Sequence, residues 1–291
     1  LGAAVSSTGA GEEGIHWGHL SYPARGNISL QAGCVELWCR YDGAMEETLE
    51  PTRRRALNAY VADALSHREA DIARIVHHSW HAGDGDAIAR YAPLAAQRAS
   101  AAAAHREALA HYRLAVEYTA GIEREDQARL LTNYAVECYL ANETVEGVAA
   151  ADQALELWRE LGSTLDEGDV LCWLSRLYWW LGKGEQAVST GLAAVDVLGA
   201  VPRSKELARA YSNLAQLFML AHKSDAAEEC ANKAIAVARE LDDQNTLAHA
   251  LNNLGSAKLR RGDRQGYELL EESLEISTRE RFDDHAGRAY A

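Results

Sequence analysis

Apolar residues between about 90 and 279 recur at helical spacing, and a longer repeat period of about 40 residues is superimposed on them. One small position returns once in each period, in Ala96, Ala135, Ser175, Ala215 and Gly255. A second small position returns with the same period, in Ala115, Ala154, Ala194, Ala234 and Ser273. Two series with one period indicate an array of stacked structural repeats.

Each period predicts two helices that pack closely on each other. In one unit, a first helix over 169–181 carries the small residue Ser175 midway, and a second helix runs over 185–198. Gly182 and Gly184 fall between them, where the chain must reverse. One hairpin leaves an apolar face uncovered, so neighbouring hairpins must stack. We therefore predict an all-α fold, a right-handed α-solenoid of helical hairpins with a concave and a convex side.

The pattern divides the chain into three parts. Residues 86–291 form the repeat array, with units at about 86–119, 126–160, 166–198, 204–240 and 244–279 and the start of a sixth at Asp283. Residues 45–85 form a helical linker whose helices begin at Pro51 and at Glu69. Residues 1–44 are rich in Gly and Ser and lack a sustained helical period, so we expect an irregular segment that is poorly ordered or forms a few short strands.

The repeat residues resemble a known family. Leu214, Ala215, Phe218, Ala227 and Ala234 are spaced as in tetratricopeptide repeats (TPRs), with helices longer than in the common form of that repeat. More narrowly, residues 92–96 and 104–112, preceded by His77-His78, resemble the sensor region of bacterial signal-transduction ATPases that regulate transcription, of the LuxR and MalT type. This resemblance covers about 45–291. It implies a P-loop ATPase before this region and a DNA-binding helix-turn-helix after it.

Neither of those domains is found in this sequence, which does not begin with Met, so we expect a piece of a longer regulator. The resemblance also implies a winged-helix-like end within residues 1–44, with an Arg-His-Glu helix after a Leu-x-Tyr strand. The sequence has Leu20-Ser21-Tyr22 followed by Pro23-Ala24-Arg25-Gly26. Because such a stretch read one base later can spell Arg-His-Glu, we hypothesise that a frame disruption makes residues 23–44 foreign to the fold.

Charge and composition narrow the function classes. The formal net charge is −14, with 29 Lys and Arg against 43 Asp and Glu, so we expect no direct binding to nucleic acid. No apolar run approaches the roughly 20 residues of a membrane span, and the first residues lack the features of a signal peptide. Five cysteines without a C-x-x-C pair favour a reducing compartment, and we expect a cytoplasmic protein.

Motifs of catalysis and cofactor binding are absent from the sequence. It contains no phosphate-binding P-loop, no G-x-S-x-G and no H-E-x-x-H, so we expect a non-enzymatic protein without cofactor or metal. We interpret Gly182-Lys183-Gly184-Glu185 as a turn between helices. His77 and His81 share one helix face beside His78, but no acid or cysteine at a matching spacing completes a metal site. A metal-dependent enzyme built on His77 and His81 is one hypothesis for the function, besides the two given at the end of this section.

The TPR resemblance implies that side chains of each first helix line the concave face. Counting from the small positions gives the candidate groove residues Arg90, Gln97, Arg129, Thr132, Val136, Tyr139, Asp169, Cys172, Arg176, Trp179, Trp180, Arg209, Ser212, Gln216, Met219, His249, Asn252 and Ser256. From these we select as the binding groove Arg90, Arg129, Tyr139, Arg176, Trp179, Trp180, Arg209, Gln216 and Asn252.

Arginines and aromatic residues carry the binding hypothesis. Arg90, Arg129 and Arg209 occupy one equivalent position, where a row of guanidinium groups suits a carboxylate-bearing peptide or another acidic ligand. The alternative is that these arginines pair with acids on neighbouring helices and bind nothing. Aromatic residues crowd the helix over 169–181, and we expect one or two of them to reach the groove. The repeated Asn133, Asn213 and Asn253 are interpreted as structural.

The sequence thus predicts a module that binds a protein or small-molecule effector in its concave groove. By resemblance it is the sensor part of an ATP-dependent LuxR-type regulator. The alternative is a free-standing TPR scaffold that assembles partner proteins. Self-association through the open C-terminal repeat is a further expectation.

Overall fold

The computed structural model describes residues 50–67 and 72–290. The repeats lie in the compact unit Arg55–Ala291. The expectations for residues 1–44, including the frame disruption, lie outside the described residues.

All regular structure in the described residues is helical, which confirms the predicted all-α class. The helices are α1 (Pro51–Ser66), α2 (Ile72–Ala82), α3 (Gly85–Ala101), α4 (His105–Glu117), α5 (Arg124–Leu140), α6 (Thr144–Leu161), α7 (Thr164–Trp180), α8 (Gly184–Gly199), α9 (Lys205–Leu220), α10 (Ser224–Glu240), α11 (Gln244–Arg260), α12 (Gln265–Glu280) and α13 (Asp283–Tyr290).

The helices pack as consecutive hairpins, as the repeat period predicts. The pairs are α3 with α4, α5 with α6, α7 with α8, α9 with α10, and α11 with α12. Each second helix also packs on the first helix of the next hairpin, and α5, α7, α9, α11 and α13 contact one another in sequence. The first helices therefore form one continuous layer of an α-solenoid, and the second helices form the other.

Every hairpin turns through a residue in the left-handed backbone region. These residues recur with the repeat and are Ala103, Asn142, Gly182, His222 and Gly262. In the first turn the Ala104 amide donates to the Ala99 carbonyl over 2.9 Å, and the same six-residue bond recurs at 2.8–3.0 Å in the other four. This is the Schellman C-cap, which satisfies the last carbonyls of a helix. The turn is thus set by backbone bonding, even where the residue is not glycine.

The two small-residue series lie in the contacts between helices. Members of both series are buried, including Ala96, Ala215, Ala154 and Ala234 at 0% exposure. At the last hairpin the two backbones themselves come close, because a Cβ on Gly266 would lie 2.5 Å from the Gly255 carbonyl oxygen. Larger residues at these places would separate the paired helices.

Two of the repeated asparagines connect neighbouring first helices. The Asn213 side chain donates to the Ser175 hydroxyl over 2.9 Å, and the Asn253 side chain donates to the Ser212 carbonyl over 3.1 Å. Asn133 differs, because it lines a cavity of about 410 Å³ between α3 and α5. The structural interpretation therefore fits Asn213 and Asn253.

Replacing Gly266 by alanine tests the close approach of α11 and α12. We expect Gly266→Ala to lower the free energy of unfolding by about 1–3 kcal/mol in urea denaturation, because backbone atoms block the added methyl group. Gly184→Ala is the matched control, since a Cβ there meets nothing within 4 Å, and it should change stability by less than about 1 kcal/mol. Equal effects of the two substitutions would refute this account of the packing.

The left-handed turn residues give a second test. Ala103 has a φ of 56°, so Ala103→Gly removes the Cβ strain and should raise the free energy of unfolding by about 0.5–1 kcal/mol. The control Ala110→Gly lies exposed inside α4 and should lower it by about 1 kcal/mol. Loss of stability in Ala103→Gly, measured by the same urea denaturation, would show that the turn does not require this conformation.

Candidate functional site

The layer formed by the first helices, called the inner layer below, contains a cation stacked on two aromatic rings. The Arg176 Cζ lies 5.0 Å from the ring centroid of Tyr139 and 5.2 Å from that of Trp173. The two rings meet edge to face with centroids 5.6 Å apart. Because Tyr139 comes from α5 and the other two residues from α7, this cluster joins two adjacent repeats.

This cluster lowers the pKa of the Tyr139 hydroxyl. Burial acts to raise the pKa of Tyr139, but the charge of Arg176 and hydrogen bonds from Trp180 and Arg176 outweigh it, so the pKa is lowered. The charge of Arg288 acts in the same direction. Since Trp180 and Arg176 donate to the phenolic oxygen, the hydroxyl proton stays available to an acceptor.

Arg176 carries its charge without an acidic partner among the residues that the structure describes. It is half-buried, and the nearby carboxyl group of Asp169 is already engaged by Arg209, whose Nη2 lies 2.8 Å from Asp169 Oδ1. Burial raises the pKa of Asp169, and Arg209 opposes that rise. Arg176 is therefore an open cation on a protein of net charge −14.

The three arginines at the equivalent position, Arg90, Arg129 and Arg209, have different partners. Arg209 pairs with Asp169 of the preceding first helix, and Arg129 forms an ion pair with Glu125 one turn earlier in its own helix. Arg90 lies over the ring of Tyr91, 5.3 Å from its centroid. Arg209 thus has a partner on a neighbouring helix, as in the alternative interpretation, whereas Arg129 pairs within its own helix, and the open cation is Arg176.

Gln216 and His249 continue the inner layer across α9 and α11. His249 Nε2 lies 3.2 Å from Gln216 Oε1, and its Nδ1 lies 2.7 Å from the Ser212 hydroxyl. Because an amide oxygen only accepts, Nε2 donates and Nδ1 accepts from Ser212. Burial lowers the pKa of His249 well below 6.5, and Arg288, Arg176 and His285 lower it further. The ring is therefore neutral at pH 7.

Helix α13 brings a second guanidinium group to the same region. The His285 ring lies 5.3 Å from the His249 ring, centroid to centroid, and Arg288 Nη2 donates to Asn253 Oδ1 over 3.2 Å. Arg288 and Arg176 both lower the pKa of Tyr139 and of His249. The two guanidinium groups therefore both contribute positive charge around Tyr139 of α5 and His249 of α11.

Asn252 adds a buried donor on the inner layer. Its side chain is 3% exposed, and its Nδ2 has no hydrogen-bond partner. Asn252 lies one helical turn after His249 on the same face of α11. An unsatisfied buried donor is costly, so Asn252 Nδ2 is available to an acceptor from outside the chain, water included.

The aromatic residues of α7 divide between the core and the surface, as expected for so many rings on one helix. Trp179 and Trp180 are 37% and 61% exposed, whereas Tyr178 packs against the core. Trp173 is half-buried and takes the place that asparagine has in the next two repeats. We did not select it from the sequence, although an aromatic residue at that position was a usable signal.

Arg288 was also missed, because positions were counted only through complete repeats. Arg288 follows His249 by one repeat period and so continues the row that contains Arg90, Arg129 and Arg209. The same spacing rule, extended by one repeat, identifies it.

The histidines of α2 form contacts of a different kind. His78 is buried, and its Nδ1 lies 2.7 Å from Asn58 Oδ1. The rings of His77 and His81 meet at 4.5 Å between centroids. Within residues 50–67 and 72–290, no group of three or more His, Cys, Asp or Glu is placed to hold a metal ion. In the same ranges, no helix combines the length and apolarity needed to cross a membrane.

The hairpin stack and its inner layer of first helices define a TPR-like repeat protein. Residues 166–240 match the tetratricopeptide-repeat family. In a comparison of sequences with curated proteins, no match is found.

Solved structures share the fold. A Rap protein complexed with competence and sporulation factor superposes with a TM-score of 0.63 at 14% identity, covering 89% of this chain and 80% of that protein. BtubC (BKLC) from P. vanneervenii gives a TM-score of 0.55 at 17% identity, with 80% and 93% covered. The signal transduction ATPase (STAND protein) PH0952 from Pyrococcus horikoshii, which has a tetratricopeptide-repeat sensor, gives 0.57 at 16%, with 88% of this chain and 42% of that one covered.

The buried neutral His249 predicts acid sensitivity. Below the unfolded-state pKa of about 6.5, His249 binds a proton in the unfolded chain but not in the folded chain. The free energy of unfolding therefore decreases by up to about 1.4 kcal/mol for each pH unit by which the pH is lowered. In urea denaturation at pH 5.0–7.5, we expect His249→Gln to reduce this slope. His67→Gln, at an exposed position, should keep the wild-type slope. An unchanged slope in His249→Gln would contradict the assignment.

Proposed function

We propose that this chain is a non-enzymatic binding module whose concave groove recognises a protein or small-molecule effector through an anionic group. The observation that carries the proposal is the open cation Arg176, held over Tyr139 and Trp173 on the inner layer of first helices. A guanidinium group stacked on aromatic rings keeps its N–H groups in plane and free for bidentate bonds to an oxyanion.

Neighbouring side chains support this role. Trp180 is exposed beside Tyr139, and large aromatic side chains are frequent energetic anchors in protein interfaces. Asn252 contributes an unsatisfied donor. The other selected groove residues stay part of the proposal. In it, Arg209 and Arg129 stabilise the sides of the groove through their ion pairs.

The proposal includes a place in signal transduction. We assign the chain to the sensor part of an ATP-dependent LuxR-type transcriptional regulator in the cytoplasm, without direct contacts to nucleic acid or membrane. Support comes from the fold shared with a STAND ATPase that has a tetratricopeptide-repeat sensor and with a Rap protein complexed with competence and sporulation factor. Effector binding would favour one packing of the stack and so bias an ATPase outside this chain.

A free-standing scaffold that assembles partner proteins is the second candidate. Its support is the similarity to BtubC, 93% of whose length is covered by this chain. Genomic context separates the two, since a P-loop domain encoded upstream and a helix-turn-helix downstream select the regulator. In either case, self-association through the C-terminal repeat stays a prediction, which sedimentation velocity of the purified chain tests.

Charge reversal of the open cation tests the groove. We expect Arg176→Glu to reduce recovery of bound partners from the native host's lysate at least tenfold, by quantitative mass spectrometry, because it replaces the anion-binding group by a repelling one. Arg239→Glu is the matched control, since Arg239 lies on the second helix α10 and pairs with Glu272. Recovery of the same partners by Arg176→Glu and wild type would contradict the assignment of the groove.

A further inference from the structure

The cavity of about 410 Å³ between the first helices α3 and α5 shares no residue with the cluster around Arg176. Its volume falls within the roughly 300–1,000 Å³ of small-molecule sites. Pro93, Ile122 and Leu130 supply an apolar part of its wall. The cavity therefore has room and apolar surface for a group from outside the chain.

Asn133 in the cavity wall lacks the contact that Asn213 makes at the equivalent position. Asn213 donates to the hydroxyl of Ser175, the small position of the preceding first helix. For Asn133 the corresponding small position is Ala96, which carries a methyl group instead of a hydroxyl. The Asn133 carboxamide forms no hydrogen bond to another described residue, so it is available to a group that enters the cavity.

Two carboxylates without ion pairs also lie at the cavity. Glu123 and Asp126 line it and are exposed, and neither side chain has an ion pair or hydrogen bond with another residue that the structure describes. Arg129 lines the cavity as well, but its charge is balanced by the ion pair with Glu125. The cavity thus carries two uncompensated negative charges at its open side.

Tyr112 and Ala89 add hydrogen-bond acceptors to the cavity wall. Tyr112 is 2% exposed, and its hydroxyl has no hydrogen-bond partner in the described ranges. Burial and the charge of Glu137 raise the pKa of Tyr112 to about 12, so the hydroxyl is neutral at pH 7. The Ala89 carbonyl lacks the usual helical donor four residues later, because Pro93 has no N–H.

From these observations we propose that the cavity binds an organic cation, an ammonium or guanidinium group on an apolar stem. The cationic group lies at Glu123 and Asp126, and the stem packs on Pro93, Ile122 and the ring of Tyr112. An aromatic ring attracts a cation through its face, and ammonium and guanidinium groups supply only donors to the surrounding acceptors. The inference goes beyond the proposed function, since it assigns a second site and does not depend on Arg176.

Other ligands fit this cavity less well. An anion would meet two unpaired carboxylates, and Arg129 is already engaged by Glu125. A neutral apolar ligand would displace water from Asn133 and Tyr112 without replacing its hydrogen bonds. A metal ion would find too few ligands, because no cluster of at least three His, Cys, Asp or Glu occurs in the described part of the chain.

Isothermal titration calorimetry of the whole chain at fixed ionic strength tests the inference. The probes are N-acetylarginine amide and agmatine, and N-acetylcitrulline amide is the neutral control of the same shape. We expect both cationic probes to bind at least tenfold more tightly than the citrulline compound. Tighter binding of N-acetylarginine amide than of agmatine identifies a basic side chain of a partner protein as the ligand, and the reverse order identifies a free amine.

Variants locate the binding to the cavity. Glu123→Gln combined with Asp126→Asn should weaken binding of N-acetylarginine amide at least tenfold. The matched control is Glu185→Gln, because Glu185, like Asp126, is an exposed acid in the first turn of a helix, and it should leave the affinity unchanged. Wild-type affinity in the Glu123/Asp126 double variant, or equal affinity for the arginine and citrulline compounds, would overturn the inference.

A variant that fills the cavity supplies a second test. Asn133→Trp introduces the residue that the next repeat carries at this position, Trp173, and should abolish binding of the cationic probes by occupying their space. Urea denaturation of each variant checks that the stack remains folded. Full binding by a folded Asn133→Trp protein would place the cation elsewhere.

The result is separable from that of the proposed function. Arg176→Glu should bind N-acetylarginine amide as the wild type does, even where it loses its partners. Failure of the cationic probes to bind would reject the cavity site and leave the groove around Arg176 untouched.

Discussion

The close approach of paired helices is the constraint on which the rest of the structure depends. Each hairpin needs a small residue where its two helices cross, and a bulky residue there would open the stack. Because this need recurs in every repeat, all first helices fall in one layer and present equivalent positions to one side. Because the first helices are aligned in this way, side chains one repeat apart become neighbours, and together they would line the proposed groove.

Much of the fold follows from the sequence because this constraint is local. The helix pair predicted over 169–181 and 185–198 is found as Thr164–Trp180 and Gly184–Gly199, because Gly182 sits where the backbone needs a positive φ. The same turn at Ala103 and His222 carries no glycine signal, and there only the period locates it. Expectations for residues 1–44 remain predictions.

The candidate site is less predictable, because counting places a residue in the groove without revealing its partner. The sequence gives Arg209 and Arg176 the same predicted role in the groove. In the structure, Asp169 forms an ion pair with Arg209, whereas Arg176 stacks on the rings of Tyr139 and Trp173. The difference arises because an acidic residue occupies the equivalent position one repeat before Arg209. Arg288 was overlooked because its repeat breaks off in the sequence, although its spacing from His249 follows the rule.

We propose that Arg176 is the cation that the groove offers to a ligand, whereas Arg209 is held in an ion pair by Asp169. Nitrogen-15 NMR of the arginine Nε–H groups during titration with inorganic phosphate tests this most directly. We expect the Arg176 resonance to shift with saturation while that of Arg209 stays in place. A shift of Arg209 with no change at Arg176 would contradict it.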